Sequence, residues 1–185
     1  MSTRDQKRDQ KRDQAGLTAL ELIVTMAIIA VLLATGVPAM KNYSWNLRMK
    51  TTMDQLQTGL HQARSHAISH NSQTVICPAT DDSNCSGISV WQNGWIIFTD
   101  INSDRQKQDS EPLQHHADAV SMLSISSSMS RNYIRFYPNG SAPGSNVTIL
   151  FCDKRGAAYA GTITVSNSGR IRMQTNGIEP SENCP

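Results

Sequence analysis

One carboxylate stands alone in an apolar run. Glu21 is the only charged residue between Leu17 and Met40. A carboxylate in hydrocarbon is costly unless it is neutralised or paired. The spacing offers a partner of the right chemistry, an amine. The small residue Gly16 directly precedes the apolar segment, and a cut after it would expose the α-amino group of Leu17, one helical turn before Glu21. In a stack of parallel helices, the amine of one copy can meet the carboxylate of the next. The plain alternative is a protonated or snorkelling Glu near a helix end.

The remaining groups with chemical potential lie further on. Cys77, Cys85, Cys152 and Cys184 all follow the apolar run. An even count beyond a membrane segment points to disulfides in an oxidising space. Of the possible pairings we favour Cys77–Cys85, which are close in sequence, leaving Cys152–Cys184; the spacings fit no common zinc module. His66 and His70 are one helical turn apart, a metal-capable spacing that exposed helix histidines often show. Asp100, Asn102, Asp104 and, at the twelfth place, Glu111 imitate a calcium loop, but Arg105 stands where such a loop needs Gly. An acidic surface turn is the simpler expectation, so neither metal nor cofactor is expected. No Gly-rich phosphate loop or nucleophile elbow occurs, and scattered His and Ser make no triad. The chain does not read as an enzyme.

Charge is segregated. Residues 1–16 carry Arg4, Lys7, Arg8, Lys11 and Arg12 against Asp5, Asp9 and Asp13, a polar repeat that reads as a solvated leader. Residues 81–118 hold Asp81, Asp82, Asp100, Asp104, Asp109, Glu111 and Asp118 against Arg105 and Lys107. Residues 119–178 reverse the sign, with Arg131, Arg135, Lys154, Arg155, Arg170 and Arg172 against Asp153. Such a domain has a dipolar surface.

These groups must be positioned by a few elements. As a helix, Leu17–Met40 spans about 36 Å, enough for a bilayer core. An ordinary secretory signal has its apolar region before the cut. Here the small residue precedes it, so the anchor survives processing; Val37-Pro38-Ala39 could imitate an ordinary signal-peptidase site, but the run is long and contains a carboxylate. The helix should continue past Pro38, because Trp45, Met49, Met53, Leu56, Leu60, Ala63 and Ala67 recur at helical spacing. After Asn71 the pattern predicts strands at Thr74–Cys77, Gly94–Thr99, Val120–Ile125, Tyr133–Tyr137, Val147–Cys152, Gly161–Ser166 and Arg170–Gln174, separated by Gly, Asn, Pro and Ser. The expected class is α+β, a long helix packed on an antiparallel sheet. The expected organisation is a leader over 1–16, an anchor over 17–40, an amphipathic helical half over 41–71 and a β-rich domain over 72–185.

Gly16, an apolar Leu17 and Glu21 at the fifth position after the cut resemble the prepilin leader of type IV pilins and type II secretion pseudopilins; Pro38 also falls where many of their helices carry proline. The resemblance implies cleavage after Gly16 by a prepilin peptidase, N-methylation of Leu17, where the family usually has Phe, and Glu21-dependent filament assembly with other pilin subunits. It also implies a single-pass chain in the bacterial inner membrane before assembly, then a pilus or pseudopilus with the C-terminal domain in the periplasm or outside. Ala63-Arg64-Ser65-His66-Ala67-Ile68, Cys77-Pro78, Gly94–Asp100, Cys152–Gly156 and Gly169–Arg172, in that order, are similar to the GspH/FimT family of minor pilins and pseudopilins.

The basic segment selects among these. In a strand, Arg170 and Arg172 point to one face, Ile171 and Met173 to the other. A Cys152–Cys184 bond would hold the tail beside Lys154-Arg155, and the two basic pairs could form one patch, extended by Arg131 and Arg135. Arginine and lysine facing phosphates are what DNA binding without sequence preference requires. The FimT branch is associated with DNA capture in natural transformation, and its GRxR pattern matches Gly169–Arg172. The bland alternatives are solvated charges on an edge strand and a structural minor pilin or secretion pseudopilin that initiates or caps a filament without binding DNA.

Overall fold

The computed structural model describes residues 18–128, 131–175 and 184. The leader, with Gly16 and Leu17, lies outside the described residues. The first element, α1, runs over Ala19–Ser69. It begins at Thr18, whose Oγ1 accepts the Glu21 backbone N–H at 3.3 Å, the geometry of an N-cap. It continues through Pro38. It ends where Asn71 turns to φ 49 and the Ser72 N–H reaches the Ala67 carbonyl at 3.2 Å. A left-handed residue with this bond is the common way for a helix to stop.

The chain divides into two compact units, Met1–Asn42 and Tyr43–Pro185. In the first, Leu20, Ile23, Met26, Val31 and Leu32 are exposed. This stretch of helix is long and apolar enough to cross a membrane.

In the second unit, Met49, Met53, Leu56, Leu60, Ala63 and Ala67 are buried along one stripe of α1. Two four-stranded antiparallel sheets complete it. One has the order β3-β2-β1-β5, made of Leu113–Ala117, Trp95–Thr99, Thr74–Pro78 and Ile134–Phe136. The other has the order β4-β6-β7-β8, made of Ser124–Ser127, Val147–Cys152, Gly161–Val165 and Ile171–Gln174. The helix stripe meets Ile76, Trp95, Ile97 and Phe136 of the first sheet and Ile125, Ile149, Phe151 and Ile163 of the second in one core. Full burial of each large apolar side chain stabilises by about 1.5–3 kcal/mol. The other face of the first sheet is covered too: Val75, Cys77, Ile96 and Phe98 form a second cluster with Ala79. That explains why β1 and β2 are buried at every position and apolar on both faces.

The α+β class is as expected, with a long helix on antiparallel sheet. Two strands differ from expectation. Val120–Leu123 is not extended: Met122 turns at φ 69 and β4 begins at Ser124. β3, with sequence LQHHA, lies on the edge of the first sheet with its first three residues exposed. It pairs through backbone while its first three side chains face water and Ala117 packs on the core, so no apolar alternation marks it. The structure joins Cys77 to Cys85 and Cys152 to Cys184. The second bond closes the longer loop, and loop-closure entropy alone would make it worth about 3.7 kcal/mol.

Candidate nucleic-acid interface

Among the described residues, β8 is the edge strand of the second sheet, paired with β7 in the register Val165↔Ile171 and Thr164↔Arg172. Ile171 and Met173 are half-buried and pack against the core, whereas Arg172 and Gln174 are exposed. Arg170 is exposed as well. The turn before it is tight: the Gly169 N–H donates to the Ser166 carbonyl at 2.8 Å, and the Ser166 N–H to the Arg170 carbonyl at 3.0 Å. Gly169 has φ 77, and a Cβ there would lie 2.0 Å from the Gly140 carbonyl oxygen. Glycine is therefore required twice over, for the backbone angle and for the close approach.

That approach docks the turn onto the loop between β5 and β6, and this loop gathers arginines. The Arg64 Nε, from α1, donates to the Gly140 carbonyl at 2.9 Å. The Arg131 Nη1 donates to the Gly144 carbonyl at 2.6 Å. The Arg135 backbone N–H donates to Ser145 Oγ at 3.3 Å, and its guanidinium sits 4.9 Å from the Tyr137 ring centre. Asn146, the last loop residue, lines an open groove with Arg170, Arg172, Thr164, Ser166 and Ser168. Among the described residues, no acid lines this groove. Arg64, Arg131, Arg135, Arg170 and Arg172 are thus all tied to one short loop or to the groove beside it. Sequence reasoning did not include Arg64; the signal was the Gly169 and Gly140 pair, whose close packing brings two turns against its guanidinium.

Lys154 and Arg155 are placed differently, and the single patch expected from both basic pairs is not what the structure shows. They follow β6 at the end where Phe151 pairs with Gly161. Arg172 pairs with Thr164, three residues further along β7, a separation of about 10 Å along the strands. Arg155 is also engaged. Its Nη2 lies 2.7 Å from Asp153 Oδ2, its Nε reaches both oxygens of that buried carboxylate, and its Nη1 donates to Asn46 Oδ1 at 2.8 Å. Its guanidinium stacks 4.3 Å from the Tyr159 ring centre. Lys154 Nζ lies 5.0 Å from the Trp45 ring centre. These two residues fasten the β6–β7 turn to the helix.

His66 and His70 stack, with ring centres 4.0 Å apart. Burial, and then the His70 charge, hold the His66 imidazole below its ordinary pKa. Among the described residues, no three His, Cys, Asp or Glu side chains already converge on one metal position. The acidic segment is not simply a surface turn, however. Asp100 and Glu111 are 2% and 4% exposed. Burial pushes the Asp100 carboxyl up, the Arg105 backbone N–H pulls it down, and the Glu111 charge pushes it up again.

A long N-terminal helix, a stripe of it packed on antiparallel sheets, and disulfides in the β part define a pilin-type subunit. Residues 52–169, more than half of the 185-residue chain, match the family described as type II transport protein GspH, and the chain belongs to that family. No curated protein matches it. Among solved structures, the type IV minor pilin FimU of Pseudomonas aeruginosa is similar in two crystal forms. One aligns at TM-score 0.56 and 18% identity, covering 77% of this chain and 96% of that one. The other aligns at TM-score 0.54 and 21% identity, covering 74% and 96%. The minor pseudopilin EpsH of Vibrio cholerae aligns at TM-score 0.49 and 9% identity, over 69% of this chain and 97% of that one. The family and the fold are those of minor pilins and pseudopilins, structural subunits that associate with other pilins in a filament. The apolar N-terminal helix fits an inner-membrane anchor before assembly.

Proposed function

We propose that this chain is a minor type IV pilin that holds DNA by its phosphate backbone, for uptake during natural transformation. The observation that carries the reading is the groove along β8, where Arg170 and Arg172 stand exposed beside Asn146, Thr164, Ser166 and Ser168, with no acid among the described residues of the lining. Arg131 and Arg135 extend it. Hydroxyl, amide and guanidinium groups are the donors that phosphate oxygens accept from, and they carry no base preference. The Gly169–Arg172 resemblance to FimT supports the same reading. The prepilin peptidase cuts after Gly16, Leu17 is N-methylated, and the amine of Leu17 meets Glu21 of a neighbouring subunit in the filament. Residues 17–40 anchor the chain, 41–71 continue the helix and 72–185 form the exposed domain.

A second reading has one observation in its favour: the family is described from type II transport. On that reading the chain is a pseudopilin and the arginines are a solvated edge. Fluorescence anisotropy of labelled duplex DNA with the detergent-solubilised protein separates the two. Saturable binding at low salt, lost in Arg170→Gln/Arg172→Gln, supports DNA capture. Absence of wild-type binding supports the pseudopilin.

A further inference from the structure

The loop between β2 and β3 departs from an acidic surface turn in three ways. Its first residue, Asp100, is 2% exposed, and its twelfth, Glu111, is 4% exposed. Asp100 Oδ2 accepts the Arg105 backbone N–H at 3.2 Å, but Asp100 Oδ1 is buried and has no hydrogen-bond partner. An ionised oxygen left so is costly. Arg105 itself takes φ 69.

That last angle removes the objection raised by the sequence. A calcium loop of about twelve residues takes oxygens from its first, third, fifth, seventh, ninth and twelfth positions, and needs a sharp turn at the sixth, usually from glycine. Here the sixth residue is Arg105, and it adopts the left-handed angle anyway. Its side chain is held outside the loop: Nη1 donates to Tyr133 Oη at 2.8 Å, and the guanidinium stacks 5.2 Å from the Tyr133 ring centre. The rest of the loop is wound in the matching way. Asn102 Oδ1 accepts the Asp104 N–H at 3.1 Å, and Asp104 Oδ1 accepts the Gln106 N–H at 2.8 Å. Glu111, at the twelfth place, folds back so that Oε1 accepts the Ile101 N–H at 2.8 Å and Oε2 the Gln108 N–H at 3.1 Å.

We propose that this loop binds one calcium ion, through Asp100 Oδ1, Asn102, Asp104, the Gln106 main-chain carbonyl and Glu111. The carboxylates do not yet converge. Asp104 Oδ2 takes the amide groups of Asn102 and Gln108, at 2.9 and 2.8 Å. These amides occupy the third and ninth positions, and turning each about its last side-chain bond presents an oxygen in place of the nitrogen; for Asn102 this gives up the bond from the Asp104 N–H. The loop backbone is already set, and side-chain rotation completes the site. The metal would tie β2 to β3 on the sheet opposite β8, so the proposal does not depend on DNA binding.

The test is calcium chloride titrated into the full-length protein in detergent micelles after chelator treatment, read by calorimetry and by thermal melting. The expected result is one ion per chain with a dissociation constant of about 0.1–1 mM, the range of extracellular calcium modules, and a rise in Tm that magnesium chloride at equal concentration does not give. Asp104→Asn, at an exposed position, should weaken binding by about tenfold or more through loss of ligand charge. Arg105→Gly should bind at least as tightly as wild type, because glycine adopts the required angle at no steric cost. Absence of binding at about ten times the upper end of that range, equal shifts with magnesium, or full binding by Asp104→Asn would overturn the proposal.

Discussion

Arg155 and Arg170 carry the same charge and answer to different physics. Arg155 is paired with a buried carboxylate, so removing it leaves Asp153 uncompensated, and breaking a pair of this kind is costly. Arg170 and Arg172 are exposed to solvent, so they are expected to be changeable without loss of fold. The sequence showed both pairs as equal patches of charge, because one-dimensional spacing does not reveal that Asp153 turns back onto Arg155. It did show the alternation of Arg170 and Arg172 against Ile171 and Met173, because a strand has a fixed period. Glu21 also belongs to this scale. If its carboxylate pairs with the Leu17 amine of a neighbour, Glu21→Ala should leave leader cleavage intact but reduce incorporation into filaments. Mass spectrometry should find Leu17 at the N-terminus of both proteins, and immunoblots of sheared filaments should find the variant depleted. Equal incorporation would refute the pairing.

At the scale of elements, the turn before β8 is set by backbone contact. Gly169→Ala places a Cβ against the Gly140 carbonyl at a left-handed angle. The expected loss is about 2 kcal/mol or more, measured by denaturant unfolding, whereas Arg170→Gln/Arg172→Gln should unfold like wild type. The stacked His66 and His70 give the end of α1 a pH dependence. His66 is held below its ordinary value of 6.5, so the unfolded chain takes up its proton first. Stability is therefore intact above that pH and falls as the pH drops through the lowered value. Thermal melting between about pH 8 and pH 5 should show the decline, and His66→Gln should flatten it; an unchanged slope would remove His66 as the cause. Elements with an apolar period were legible: the helix stripe, β1, β2 and β6. β3 was not, since an edge strand of Gln and His is held by backbone bonds and carries no pattern. The calcium-like loop was half legible. Its ligand spacing was visible, but not that an arginine would adopt the glycine angle.

For the whole molecule, charge is segregated along the chain, with acids in residues 81–118 and arginines after them. The acidic segment, residues 81–118, supplies β2 and β3 of the first sheet, and its Cys85 packs on that sheet's outer face. Arg170 and Arg172 lie on or beside β8 of the second sheet, whereas Arg135 lies in β5 at the edge of the first sheet, next to the loop that joins the two. A domain with little net charge can thus present one basic face and one acidic face, and the basic face determines the approach of a polyanion. The buried stripe of the helix holds the two sheets together in one core. Salt dependence tests this division of charge most directly, because it counts phosphates. If Arg131, Arg135, Arg170 and Arg172 each neutralise one phosphate of duplex DNA, log K should fall against log salt with a slope of about −3.6. In Arg170→Gln/Arg172→Gln the slope should shrink in magnitude by about 1.8, with equal weakening on every DNA sequence. A wild-type slope near zero, or a double variant with the wild-type slope, would contradict the account.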